Sequence, residues 1–365
     1  MKGSTFMKRR DFIAKGTAGA VGAGFVGGCS SIKIKRELSP HAFDKKVPKP
    51  AGTMPMDEIG TTGIKVSKFG FGSHMRKDIV PFEKDREWMI REAWDLGVNL
   101  FDVYDHEQTC YQYEPMGRHL KPMINDAVIS ISILPWDGRT LEQQFERDLK
   151  LFGRDYIDMV RIHSYNSKQD NWSQWEQLFK WKEQGKIRAV GIPIHRIEDV
   201  EEPLAAYPLD YVIFPFNFYH NWTWASYEME QGKFRKYDSL VPRLREKGVG
   251  VVTMKPFAGD NLATPFRNLA ADLDDSGEVN IAKASLRYVI NSDMNADTTL
   301  GGMYYPYHVH ENVDAYFNPA LSTEEKDVMK KMRRKAKVVA HNHLKPHYRF
   351  LEDWTPGTWD DTDLA

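Results

Sequence analysis

The sequence predicts an α/β chain folded as a closed (β/α)8 barrel of the TIM type, with an amino-terminal β-hairpin as a plug and a helical extension at the carboxyl end. Three observations carry this expectation. Short apolar runs alternate with helix-like segments all the way from Phe69 to Phe317, the rhythm of parallel strands joined by helical crossovers. No G-x-G-x-x-G follows the first of these strands, which leaves an open dinucleotide-binding sheet with little support. Finally, the run Val98-Asn99-Leu100-Phe101 ends in Asp102 and opens into a polar loop. A carboxylate at the carboxyl end of a short buried strand is how such barrels present functional groups.

Taken in order, Met56–Ile59 and Ile64–Ser67 flank Gly60-Thr61-Thr62-Gly63 and read as the hairpin, and Lys68–Gly72 is a glycine-broken strand. Asp85–Leu96 is helical, stopped by Gly97, and leads to the strand Val98–Asp102. The alternation continues with strand 127–134, helix 140–152 closed by Gly153, strand 156–163, helix 172–184 closed by Gly185 and strand 187–192. Helix 197–206, strand 211–214, helix 239–247, strand 249–254, helix 281–291, strand 298–301 and helix 308–317 complete it. Beyond Leu321, Ser322 and Glu325 are spaced as a capping box that opens a basic amphipathic helix to about Ala340, expected as a solvated outer helix.

The chain's 365 residues and 41% hydrophobic content suffice for a full core. A formal net charge of −1 gives no electrostatic case for nucleic acid. Two cysteines, Cys29 and Cys110, exclude a disulfide framework and a cysteine-rich metal site. The amino terminus has the character of an address: Arg9-Arg10 precede a Gly/Ala-rich run to Gly28 that is too short to span a bilayer. Residues 1–29 resemble a twin-arginine export signal with a lipoprotein-type processing box, Cys29 being the acylated residue. The expected destination is the periplasm or a membrane surface, with no membrane contact besides that anchor. Residues 30–53, rich in lysine and proline, read as a linker, 54–320 as the barrel and 321–365 as the helical extension.

Several stretches together resemble the aldo-keto reductase superfamily. These are the hairpin with Lys68-Phe69-Gly70-Phe71-Gly72, Asn99-Leu100-Phe101-Asp102, Glu114-Pro115-Met116-Gly117, Phe152–Asp158 leading to Ile162-His163, Gly185–Gly191, and Gly302 through Glu311-Asn312. The resemblance implies hydride transfer between a nicotinamide cofactor, NADP or NAD, and a small carbonyl or sugar. It also implies catalysis by an aspartate, a tyrosine acid, a lysine that lowers the tyrosine's pKa and an orienting histidine. Asp102 matches the aspartate and His163 the histidine; Tyr104 is preferred for the tyrosine over Tyr111 and Tyr113, since the matching position falls near Glu107. Where the lysine is expected, the run Ile129-Ser130-Ile131-Ser132-Ile133 offers only Ser132 or its neighbours, and without a cation a tyrosine keeps a pKa of about 10.

On the cofactor side, the resemblance assigns contacts to Asn217, Lys255, Glu311 and Asn312. Pro193-Ile194 and Ile213 replace the family's polar partners of the nicotinamide amide, and His308 replaces an arginine for a 2′-phosphate. No iron–sulfur cluster is expected, since the tail has no cysteine. Two other readings stand beside the reductase. A catalytically degenerate barrel could bind carbohydrate through aromatics such as Tyr219, Trp222 and Trp224. A metal-assisted isomerase or hydrolase could use Asp102, His106, Glu107 and His163. His341, His343 and His347 are a weaker metal candidate in the tail.

Overall fold

The computed structural model describes residues 45–73, 83–104, 113–133, 138–162, 172–194, 198–219, 240–259, 262 and 279–343, all within the unit Pro40–Ala365. The signal-like segment 1–29 lies outside the described residues.

Strands β1 (Met56–Glu58) and β2 (Lys65–Ser67) form the antiparallel hairpin. Eight further strands close a parallel barrel: β3 (Phe69–Gly72), β4 (Leu100–Tyr104), β5 (Val128–Ile133), β6 (Ile157–Ile162), β7 (Ile187–Pro193), β8 (Tyr211–Pro215), β9 (Gly250–Met254) and β10 (Thr298–Gly302). Neighbours pair in chain order, and β10 closes onto β3. The crossover helices are α1 (Glu83–Asp95), α2 (Tyr113–Leu120), α3 (Leu141–Phe152), α4 (Trp172–Glu183), α5 (Glu198–Ala206), α6 (Val241–Glu246) and α7 (Ile281–Ile290). Helix α8 (Pro306–Phe317) follows β10, and α9 (Thr323–His343) is the extension. No described helix is long and apolar enough to cross a membrane.

Strand alternation divides the core in two. Leu100, Val128, Met159, Ala189, Val252 and Leu300 point into the barrel, where they pack on Ile59, Ile64 and Val66 of the hairpin region. Their neighbours, such as Phe101, Ile129, Val160, Val190 and Val251, point out to the helices. The hairpin therefore caps the end where the strands begin. Asp297 fastens it: its carboxylate accepts from the N–H groups of Gly60 and Val251, both at 2.9 Å, and pairs with Arg245.

Local chemistry sets the element ends. Thr140 and Gln143 form a reciprocal capping box at the start of α3. Gly117 lets α2 approach α3, since a Cβ there would stand 2.3 Å from the Leu151 carbonyl oxygen. Strand β4 differs from expectation: it begins at Leu100 and continues past Asp102 to Tyr104. The residues before it are otherwise engaged. The Val98 N–H bonds to the Ala93 carbonyl, and the Asn99 side chain bridges Ser67 N–H and Lys65 carbonyl. Asp102 consequently sits inside the barrel wall rather than at its rim.

Two other segments depart from the sequence reading. Ser322 and Glu325 do make the capping box of α9, but the helix is not solvated all round. Met329, Met332 and Arg333 are buried. Arg333 Nε donates to the Phe218 carbonyl at 2.8 Å, and its guanidinium lies 5.6 Å from the Tyr288 ring centroid, so a hydrogen bond and an aromatic face make its burial tolerable. Residues 45–53, linker-like in composition, lie along α8 and α1. Lys45 pairs with Glu311, the Val47 carbonyl meets His310 Nδ1, Lys49 pairs with Glu92, and Gly52 abuts Phe317.

Candidate active site

In the middle of the barrel, Asp102 of β4 and Arg161 of β6 form a bidentate pair across β5. Arg161 Nη1 donates to Asp102 Oδ1 at 2.6 Å and Nη2 to Oδ2 at 2.9 Å. Between them Ser130 donates to Asp102 Oδ1 at 2.7 Å and accepts from Arg161 Nη1 at 2.9 Å. Both charged residues are only 5% exposed, so the low-dielectric interior strengthens the pair and makes it indispensable to each partner. Burial alone would lower the pKa of Arg161, but the Asp102 carboxylate, with Tyr211 second, outweighs it and holds the guanidinium above its ordinary range.

Tyr211 forms the floor. Its ring lies over Gly191, where a Cβ would stand 2.2 Å from it. Its hydroxyl is buried without a well-formed hydrogen bond, and burial pushes the phenol well above the usual tyrosine range, against the pull of Arg161. This tyrosine is a protonated structural group at neutral pH.

Of the expected catalytic residues, Asp102 is at the centre of this cluster. Tyr104 is the last residue of β4, two beyond Asp102 and in register with Ser132; its side chain lies outside the described residues, as does the whole of His163, which follows β6. Sequence reasoning missed Arg161 and Tyr211. The position expected to hold a lysine, Ser132, pairs in register with Arg161. A cation is thus present beside Asp102 after all, supplied from the adjacent strand.

The cofactor-side candidates fall into two groups. Asn217 donates to the Lys255 carbonyl at 2.9 Å and accepts from the Tyr219 N–H at 2.9 Å, bracing the loops after β8 and β9. Lys255 and Ala258 there are left-handed, with φ of 58° and 51°. On α8, Glu311 pairs with Lys45 at 3.0 Å, and Asn312 is buried with its amide nitrogen lacking any hydrogen-bond partner. A carboxylate that accepts beside an amide that must donate suits a purine with an exocyclic amine and a ring nitrogen. His308, one turn earlier, is buried, accepts from the Tyr304 N–H at 3.2 Å, and is held neutral by burial, its pKa pushed down to about 3.

The sequence model of the Aldo/keto reductase family matches residues 70–334. The chain belongs to the aldo/keto reductase family. Relatives of the chain include L-galactose dehydrogenase of Arabidopsis thaliana, 24% identical over 70% of this chain and 86% of that protein. Methylglyoxal reductase DkgA of Yersinia pestis is 28% identical over 30% of this chain and 40% of its own length. Among solved structures, the holo form of aldo-keto reductase AKR11C1 from Bacillus halodurans superposes with a TM-score of 0.58 at 20% identity, covering 76% of this chain and 96% of that one. A putative aldo-keto reductase from Pseudomonas aeruginosa gives 0.53 at 21% identity, covering 72% and 94%. These likenesses establish the fold.

Within this family member, both oxygens of Asp102 are occupied by Arg161, which argues against Asp102 as a metal ligand; His106, Glu107 and His163 lie outside the described residues. Among the described residues no three His, Cys, Asp or Glu side chains are grouped to hold a metal ion. Of the aromatic stretch, Phe218 and Tyr219 are buried against each other, 4.3 Å between centroids, and Tyr219 is core rather than a sugar platform. Trp222 and Trp224 lie outside the described residues, as do the side chains of His341 and His343 and the whole of His347.

Proposed function

We propose that the chain is an oxidoreductase that interconverts a carbonyl and an alcohol on a small substrate, a sugar in preference to a simple aldehyde. The observation that supports this reading is the buried Asp102–Arg161–Ser130 cluster, which fixes the Asp102 carboxylate beside the position where the resemblance expects a lysine. When bound, a nicotinamide cofactor supplies or accepts the hydride. The chain's own residues handle charge and the proton. Negative charge develops on the carbonyl oxygen during reduction, and the proton that quenches it comes from Tyr104, with His163 orienting the oxygen. Arg161 stays protonated throughout. It therefore exchanges no proton itself, and its charge is used to hold the Asp102 carboxylate in place. Glu311 and Asn312 hold the adenine, and Lys255 meets the pyrophosphate.

The name of the Arabidopsis relative supports a sugar as substrate class. We further propose that the protein is exported by its twin-arginine segment and tethered through Cys29, which places its turnover outside the cytoplasm and requires a tightly held cofactor. Fluorescence titration of the purified chain with NADPH and NADH tests the reading. Micromolar binding weakened by Lys255→Ala supports it. Absence of binding at millimolar nucleotide refutes it.

A further inference from the structure

Helix α9 spends one face on the barrel and leaves the other without a partner. Glu325, Met329, Met332 and Arg333 are buried, the spacing of a single helical stripe. Charge ties this stripe down as well as packing: Arg287 of α7 reaches Glu325 at 2.6 Å, and Arg333 donates to the Phe218 carbonyl. The opposite side opens with exposed Glu324 and Asp327 and then turns positive. Lys331 is exposed and Lys330 half-buried, and neither enters an ion pair among the described residues. The eight residues Lys330–Lys337 include six lysines and arginines and no acid. Of these, Arg333 is turned inward. Positions 334 and 335 follow Lys331 by three and four residues and fall on its side of the helix. In a chain of net charge −1, this is a local positive field that neighbouring carboxylates do not cancel.

An anionic bilayer is the partner that complements this face. The contact is one of charge, since Met329 and Met332 are already used against the barrel. Nucleic acid is the poorer match, because α9 has no Phe, Tyr or Trp on which a base would stack. A single acyl chain, as proposed above for Cys29, holds a protein to a membrane only marginally, and a polybasic surface is a second signal that makes the attachment stable. The tether also returns to the barrel beside this helix. Lys45 pairs with Glu311 of α8 at 3.0 Å, and Arg287 links α8 to α9 through Asp314 at 4.0 Å and Glu325 at 2.6 Å. Lys45 follows Cys29 by 16 residues, a root-mean-square span of about 20–24 Å. At that tether length the surface is presented to α9 at high effective concentration, and a weak contact becomes occupied.

We propose that the outer face of α9, from Lys330 to Lys335, is a docking surface for an anionic lipid bilayer, a second membrane contact besides Cys29. This rests on the tethering reading above, and the test separates the two. The full chain carrying Cys29→Ser, so that no acyl group contributes, is mixed with vesicles of phosphatidylcholine alone or with about 30% phosphatidylglycerol. Flotation at low and high salt measures the bound protein. Binding to the anionic vesicles alone, lost at high salt, is expected. Lys331→Gln, Arg334→Gln and Lys335→Gln together should weaken it roughly 30- to 100-fold, with an unchanged urea midpoint showing that the fold is intact. Neutralising Lys8, Arg9 and Arg10 instead should leave this α9-dependent loss in place. The proposal fails if the triple α9 variant binds as well as its parent. It fails too if the parent floats equally with both vesicle types or with neither, or if double-stranded DNA at equal phosphate concentration strips it from the vesicles. The tether is read separately, from the intact mass of the wild-type protein extracted from cells. An unmodified Cys29 beside α9-dependent flotation refutes the tether and leaves the docking surface standing.

Discussion

Replacing Arg161 by methionine removes one member of a buried, doubly hydrogen-bonded pair and leaves the other. Asp102 would keep the Ser130 hydroxyl at 2.7 Å but lose bonds of 2.6 and 2.9 Å. An unpartnered carboxylate 5% exposed costs about 3–5 kcal/mol, a large part of the roughly 5–15 kcal/mol by which folded domains are stable. Replacing both residues, Asp102→Leu with Arg161→Met, removes the charges together and should return the protein to within about 1 kcal/mol of wild type. Urea unfolding followed by tryptophan fluorescence yields the four free energies of the cycle. The single variant should also recover stability as the pH is lowered, because a buried carboxylate without its cation has a raised pKa and takes up a proton. Under about 1 kcal/mol for Arg161→Met, or a double variant as unstable as the sum of the singles, would refute the account of the pair.

His308 is neutral in the fold, with a pKa near 3 against 6.5 ordinarily, so the unfolded chain binds the extra proton between those values. Its contribution is complete above pH 6.5 and falls by about 1.4 kcal/mol per unit below it; by pH 5 wild type should have lost about 2 kcal/mol more than His308→Gln in parallel urea melts. Gly191→Ala forces a methyl into the Tyr211 ring, 2.2 Å away, and should cost about 1–3 kcal/mol, whereas Tyr211→Phe, which deletes a hydroxyl without a well-formed hydrogen bond, should be neutral or stabilising in the same assay. Lys255→Gly relieves a left-handed φ of 58° and should raise stability by up to about 1 kcal/mol, while nucleotide titration shows weaker binding.

The barrel was legible because its strands are short, apolar and regularly spaced, and because caps such as Thr140 with Gln143 and Ser322 with Glu325 are local. Arg161 was not, although the signal existed. The run Ile157-Asp158-Met159-Val160-Arg161-Ile162 is buried throughout, and two charges in such a run need partners. Asp158 finds Arg154 and Arg188, but the partner of Arg161 is 59 residues away on β4, reached only once β4, β5 and β6 lie side by side. Composition misled in a different way at residues 45–53. Lysine and proline suggested a linker, yet Lys45, Lys49 and the Val47 carbonyl have acceptors and donors waiting on α1 and α8. Where Tyr104 and His163 stand as amino acids in the chain was readable, but their reach depends on side-chain geometry that no spacing encodes.

The hairpin fastened by Asp297 has a kinetic consequence. A barrel stoppered where its strands begin, and filled there by Ile59, Ile64 and Val66, offers no through passage. Whatever enters between the loops at the other end must leave the same way. Two ligands that share one entrance and differ in depth cannot come and go independently: the deeper arrives first and departs last. For the oxidoreductase proposed above, this geometry predicts ordered binding and release, with the last departure setting the pace of the cycle.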